Sequence, residues 1–343
     1  MTQPLLTLTD VSVEFPALGG LKALMAPPDK RRVQAVAGVS LHLHPGETLA
    51  VVGESGSGKT TLARAVNGLV PLAGGTVNFD GQALQDGPDW TAVRRRMAMM
   101  FQDPTGSLSP RKTVGDLILE PFVIHGIPVA DRTVKARDLL AAAGLDADFM
   151  DRYPHQLSGG QARRVGVARA LALDPALVLA DEPTAGLDVS IQGEILNLMN
   201  RVKAERGLAT LIITHNLNIL RHIADRIAVM YLGRIVETGP VEAILTAPAH
   251  PYTHALMAAN PEPDPTARHE RLILKGETPA LTARPSGCEF HPRCPVARAD
   301  CARIAPALEP ARTGGKVACR YPLGADETLT ARPPAASPPA AQG

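Results

Sequence analysis

The octet Gly53-Glu54-Ser55-Gly56-Ser57-Gly58-Lys59-Thr60 restricts the folds open to this chain more than any other stretch. It follows an apolar run at 48–52 and leads into a helical pattern, so the G-x-x-x-x-G-K-[ST] spacing sits where a phosphate-binding loop belongs. Its glycines let backbone N–H groups curl around phosphate oxygens, and the following helix start adds a favourable dipole. Lys59 is suited to the β- and γ-phosphates and the Thr60 hydroxyl to Mg²⁺, with Thr61 beside them in the first helical turn.

Such a loop needs a buried strand before it and parallel neighbours beside it, and the rest of the chain supplies both patterns. Residues 5–13 alternate as a strand, 16–32 read as a loop, and a second strand carrying His42 and His44 turns at Pro45-Gly46 into the apolar run. Residues 74–84 predict a hairpin turning at Asp80-Gly81. Helical spacing dominates 106–157 and 159–173, and Ile191, Ile195, Leu198, Met199 and Val202 share one face of a further helix. A fully apolar run at 176–180 and the segment ATLIIT at 209–214 predict buried strands, and shorter strands at 227–231 and 234–238 flank a turn at Gly233. Apolar strands alternating with helices imply a mainly parallel α/β sheet covered on both faces.

The strand at 176–180 ends in Asp181-Glu182. Carboxylates at the C-terminal end of a buried parallel strand lie where the ligands of such sheets bind. Asp181 then suits Mg²⁺, and Glu182 suits the polarisation of a water attacking the γ-phosphate.

Composition is that of an ordinary globular chain, 45% hydrophobic and 20% charged. A formal net charge of +1 gives no global attraction to nucleic acid or to an anionic membrane. The first residues lack the basic flank and apolar core of a signal peptide, and no run approaches a membrane span, so a cytoplasmic location is expected, with any membrane link made through a partner.

With these sites placed, further motifs resemble those of ABC ATPases: Leu157-Ser158-Gly159-Gly160-Gln161 the signature, Gln102 the Q-loop, Ala185-Gly186-Leu187-Asp188 the D-loop and His215 the switch histidine. Their order and spacing match over roughly residues 5–258. The resemblance implies a P-loop NTPase with a RecA-like core, an N-terminal antiparallel β-subdomain and a helical subdomain at about 103–160, together making an ATPase domain of residues 1–260. It further implies that Ser158, Gly159, Gly160 and Gln161 contact ATP held by the phosphate loop of a second subunit, so that the working unit is a dimer. His215 would contact the γ-phosphate, and Gln102 would join Thr60 and Asp181 at Mg²⁺ while touching a membrane partner.

Finer features, FQDPTGSLSPRKTVGDLI, RYPHQLSGGQ, ADEPTAGLDVSIQGEIL, HPYTHAL and a tail with CEFHPRCP, resemble the branch importing oligopeptides, dipeptides and nickel. That branch pairs two ATPase subunits, usually paralogues, with two membrane permeases and an extracytoplasmic solute-binding protein, at the cytoplasmic face of the membrane. ABC ATPases acting on DNA carry long coiled coils and those acting on ribosomes carry two ATPase domains; neither feature is present. Members of phosphonate-degrading machinery resemble the core but lack the cysteine tail. Three positions depart from the family pattern. Lys30, Arg31, Arg32 and Val33 stand where an aromatic residue usually stacks on adenine, with Phe15 the nearest aromatic upstream. Ala162-Arg163 replaces a common Arg-Gln, and Ala185-Gly186 replaces a common Ser-Ala.

All four cysteines, Cys288, Cys294, Cys301 and Cys319, fall in a Pro- and Arg-rich segment at 261–325. In a reducing compartment such a cluster suggests metal before disulfide, but its spacing matches neither ferredoxin nor zinc-finger patterns. Resemblance to related peptide-importer ATPases favours a structural 4Fe–4S cluster over zinc or free thiols. Residues 326–343, rich in Pro and Ala, read as a disordered tail.

Overall fold

The computed structural model describes residues 3–17, 32–259, 276–312 and 314–324. Lys30, Arg31 and the tail at 326–343 lie outside the described residues. The chain divides into two compact units, Met1–Arg234 and Ile235–Gly343.

In the first unit, β1 (Leu6–Pro16) pairs antiparallel with β2 (Arg32–Leu43) on one side and β4 (Gly74–Phe79) on the other. Leu6, Leu8, Val11 and Val13 of β1 are buried while their neighbours are less so, the alternation that a one-faced sheet requires. The short β5 (Gln82–Ala83) completes this sheet. The link from β4 to β5 is the expected Asp80-Gly81 turn, with φ of 51° and 80°, the paired positive angles of a tight hairpin.

The second sheet of this unit is parallel. It contains β3 (Thr48–Val52), β6 (Met97–Met100), β7 (Leu177–Asp181), β8 (Ala209–Thr214) and β9 (Arg226–Tyr231), in the order β6-β7-β8-β3-β9. Every residue of β3, β7 and β8 is buried, which is why these strands are mainly apolar rather than alternating. Register fixes the functional edge: Val52 lies opposite Thr214, and Asp181 opposite Ile213. The three chain segments leaving β3, β7 and β8 therefore emerge side by side.

Around this sheet run α1 (Lys59–Val66), α2 (Trp90–Arg96), α3 (Val114–Ile124), α4 (Arg132–Ala142), α5 (Gly159–Leu171), α6 (Val189–Arg206) and the one-turn α7 (Leu220–Ile223). One hydrophobic core joins Val114 and Ile118 of α3, Leu140 of α4 and Val165 of α5 to Val178 of β7 and Ile195 of α6. The start of α5 is thus anchored to the same core that holds β7 and β8. The helical stretch expected at 106–157 resolves into α3 and α4 followed by short 3₁₀ turns at Ala147–Asp151 and Pro154–Gln156. Neither α2 nor β6 stood out in the sequence. Met-Ala-Met-Met lacks the β-branched residues that mark a strand and is held as one by pairing with β7.

In the second unit, β12 (Lys316–Val317) lies between β10 (Arg234–Pro240) and β11 (Glu309–Pro310), accompanied by α8 (Val241–Thr246) and α9 (Pro251–Ala258). The fully buried Glu237 accepts hydrogen bonds from the backbone N–H groups of Ala249 at 2.6 Å and His250 at 3.0 Å, fixing the entry to α9. Phe290 packs on Tyr252 and His250 with ring centroids 5.4 and 5.8 Å away. Among the described residues no helix is long and apolar enough to cross a membrane.

Candidate functional site

Gly53 and Gly58 bound the turn between β3 and α1, and close backbone packing dictates both. A Cβ on Gly53, at φ 155°, would stand 2.1 Å from the Met230 carbonyl oxygen. One on Gly58, at φ 102°, would stand 2.3 Å from the Ala35 carbonyl oxygen. No larger residue fits either place. Inside the curl, the buried Lys59 donates from Nζ to the carbonyl oxygens of Gly53 and Glu54, both at 2.8 Å, and to Ser57 Oγ at 3.4 Å. Burial lowers the Lys59 pKa, while the charges of Glu182, Asp181 and Glu54 pull it back up. Ser55 and Gly56 at the crown of the loop are exposed.

Beside this loop, Thr60 donates from Oγ1 to Asp181 Oδ1 at 3.1 Å. Asp181 is buried, and desolvation raises its carboxyl pKa against the opposing Thr60 hydrogen bond. One residue on, Glu182 holds a left-handed backbone, φ 51°, a conformation L-residues adopt only under constraint. The constraint is visible: its N–H donates to the Ile213 carbonyl at 2.8 Å, and Glu182 Oε1 accepts from the His215 N–H at 3.1 Å. The same Oε1 lies 2.6 Å from His215 Nδ1, and Oε2 accepts from Thr214 Oγ1 at 3.4 Å. The carboxylate is aimed by three groups leaving β8, while the His215 side chain itself stays 66% exposed.

Signature and D-loop residues are built by helix-capping chemistry. Ser158 caps α5 by accepting from the Gln161 N–H at 3.3 Å, and Gln161 Oε1 returns the contact to the Ser158 N–H at 2.9 Å. Gly160 is required by contact, since a Cβ there would press 2.7 Å from Ile191 Cγ2. Asp188 caps α6 through the Ile191 N–H at 2.9 Å. Behind it, Gln192 donates to the Leu187 carbonyl at 2.8 Å and accepts from Asn216 Nδ2 at 3.4 Å, joining the D-loop to the segment after His215.

The structure thus gathers Lys59, Thr60, Asp181, Glu182 and His215 at one edge of the sheet. Gln102 is reached through its backbone, and its exposed side chain makes no hydrogen bond among the described residues. Arg163, which the sequence marked only as a departure from pattern, proves central to that contact: its guanidinium donates to the carbonyls of Phe101, Gln102 and Ala185. At the expected adenine region, Arg32 pairs with Glu14 at 2.8 Å, and Phe15 lies directly across the ladder from Val33.

In the second unit all four cysteines line one cavity of about 20 Å³, together with His250, Phe290 and Tyr321. None of the four is disulfide-bonded. Gly287 lets the chain close on itself, because a Cβ there would stand 2.4 Å from the Cys301 carbonyl oxygen, and the adjacent Cys288 N–H donates to that oxygen at 2.8 Å. Burial pushes Cys294 up to about 11 and Cys319 up to about 12, and raises Cys288 as well. Among the described residues, no three of His, Cys, Asp or Glu are gathered tightly enough to hold a single metal ion.

Two family models match the chain: ABC transporter over residues 36–185, and oligopeptide/dipeptide transporter, C-terminal region, over 236–301. The chain is 44% identical to the oligopeptide transport ATP-binding protein OppF of Escherichia coli (strain K12), covering 89% of this chain and 92% of that protein. It is 42% identical to the dipeptide transport ATP-binding protein DppF of the same organism, over 95% of this chain and 97% of that one. Among solved structures it is similar to the ATP-binding cassette MJ0796 in a dimeric post-hydrolysis state bound to ADP and Pi. That match has a TM-score of 0.61 and 28% identity, over 69% of this chain and 98% of that chain.

Proposed function

Since the chain belongs to the ABC transporter family of ATPases, in the branch carrying the oligopeptide/dipeptide transporter C-terminal region, we propose that it drives import of oligopeptides or dipeptides. In this reading the chain binds ATP, associates with a second ATPase subunit, and passes the resulting closure to a pair of membrane permeases fed by an extracytoplasmic solute-binding protein. It works at the cytoplasmic face of the membrane, as a peripheral subunit.

The observation that carries the reading is the convergence of three strand ends. The Lys59 loop, the Asp181-Glu182 pair and His215 leave neighbouring strands in aligned register, and Glu182 is held against His215 at 2.6 Å. Residues 53–61 wrap the triphosphate, with Lys59 exchanging its loop carbonyls for phosphate oxygens. Glu182 accepts a proton from the attacking water, and His215 steers that carboxylate and meets the γ-phosphate. Asp181 and Thr60 form a donor set that fits Mg²⁺: a buried carboxylate, desolvated and raised in pKa, already in contact with a hydroxyl. Thr60, Asp181 and Gln102 would hold that ion, which supplies charge neutralisation to the β- and γ-phosphates.

Ser158, Gly159, Gly160 and Gln161 serve the nucleotide of the partner subunit, and Asp188 lies in the loop that faces it. Residues 1–260 form the ATPase domain and 261–325 a cysteine-rich extension. Four thiols around one cavity fit a sulfur-ligated group. Four Cys thiolates are the ligand set of a 4Fe–4S cluster, the group that the likeness to peptide-importer ATPases favours.

The direct test is association. With Glu182→Gln, the natural mate subunit and Mg·ATP, light scattering should report a nucleotide-dependent dimer. A pair that stays apart at saturating ATP refutes the shared-site reading.

A further inference from the structure

Arg163 sits inside the first turns of α5, just beyond the signature, and is only 2% exposed. One guanidinium nitrogen donates to the Phe101 carbonyl at 3.2 Å and the Gln102 carbonyl at 3.1 Å. The other donates to the Ala185 carbonyl at 3.2 Å. The fork thus spans the two segments that follow β6 and β7, while its own backbone belongs to the helix that Ser158 caps. Only a planar, multi-donor head can do this; a lysine ammonium is a point donor and a glutamine has a single NH₂.

The arrangement is costly, which argues against mere filling of space. Among the described residues the buried Arg163 Nε has no hydrogen-bond partner, and burial lowers the guanidinium pKa. The charges that offset this come from Asp103, next to Gln102, and from Glu182. Both ends of the compensation therefore lie in the segments that Arg163 holds or in the acidic pair itself.

We propose that Arg163 is a positioning residue that locks the signature helix, the Gln102 segment and the Ala185–Asp188 loop into one joint, so that none rearranges without the others. The proposal rests on the ATPase roles given above for Gln102, Glu182 and the signature. Its mechanical content is separate: a nucleotide that draws the start of α5 forward must also carry the Ala185 carbonyl and the Gln102 backbone, which places both loops in step with dimer closure.

Arg163→Met keeps an unbranched apolar stem but removes the guanidinium and with it every donor. We expect kcat for Mg·ATP to fall about 10- to 100-fold, the cost of a small misplacement of reacting groups, while KM and the Kd for Mg-free ATP stay within about twofold. Amide hydrogen exchange should quicken in 101–103 and 185–188 together, with β3 and α1 unchanged. Arg163→Lys retains charge without the fork and should behave like the methionine variant. Arg163→Gln, with two N–H donors, should recover part of kcat, and it carries the same readouts if the methionine variant fails to fold. Native kcat, or faster exchange in one segment alone, overturns the inference. Glu182→Gln run in parallel separates the two levels. Lost turnover there beside native kinetics at Arg163→Met removes only the joint, whereas native turnover at Glu182→Gln removes the site reading beneath it.

Discussion

The nucleotide edge of the first unit and the cysteine cavity of the second are both pockets of ionisable groups, yet they are prepared for their ligands in opposite ways. At the sheet edge the charges are already in place and aimed. Lys59 is held by two carbonyls, Asp181 by Thr60, and Glu182 by three groups from the end of β8. Around the cavity, the thiols are brought near each other by turns such as Gly287-Cys288, and burial favours their neutral form. One site is electrostatically preorganised, so binding and chemistry need little rearrangement. The other would acquire charge only if a cation drew protons off the thiols.

If preorganisation carries the chemistry, the largest single effect should come from Glu182. Glu182→Gln leaves the β8 contacts sterically intact but removes the base, so turnover should fall by about 10²- to 10⁴-fold with ATP affinity nearly unchanged. Steady-state hydrolysis beside equilibrium nucleotide binding measures both, and near-native turnover would place the base elsewhere. Lys59→Ala should act on the other quantity. Losing charge-assisted contacts to phosphate, together with the bracing of the loop, should weaken ATP binding by about 100-fold in calorimetric titration. Equal affinity in that variant would mean that the backbone cradle alone holds the nucleotide.

The same contrast explains what the sequence revealed. The phosphate loop was legible because β3, β7 and β8 are buried on both faces and read as mainly apolar runs, leaving Gly53–Thr60 and Asp181-Glu182 as punctuation at their ends, whereas His215 was marked only by resemblance to the switch histidine of the family. The paired positive φ angles at Asp80-Gly81 were legible for a similar local reason. Arg163 was not, because its role depends on carbonyls 61 and 62 positions away in the chain, and a carbonyl leaves no mark in a sequence. The left-handed Glu182 was equally silent, being imposed by long-range contacts to 213–215. Cysteine spacing was a weak guide because folding, not interval, brings Cys319 beside the other three.

On the cysteine side the effects should be smaller and conditional on loading. Protein isolated without oxygen should contain iron, and Cys294→Ser should lose it. A group bound at a hundredfold excess over its Kd adds about 2.7 kcal/mol to stability. The loaded protein should therefore melt above Cys294→Ser, and chelation should erase the difference. Iron-free protein with a full complement of thiols would exclude the cluster.

The last effect is a slope. In metal-free protein, burial holds Cys294 at about 11 and Cys319 at about 12, above the ordinary thiol value of 9.0. Between those values the unfolded chain gives up its thiol protons while the folded chain keeps them, so ionisation favours unfolding. Stability should consequently be level with respect to these groups below pH 9.0 and should decline as pH rises from there through the folded values. Denaturant titrations of the apo protein and of a Cys294→Ser/Cys319→Ser variant across this range isolate the contribution, because the double variant should lose that part of the decline. A bound cation reverses the preference, since it requires the thiolates, so metal loading should strengthen as pH rises through the same window in which the empty protein weakens. Loading that ignored pH would mean that the thiols are not its ligands.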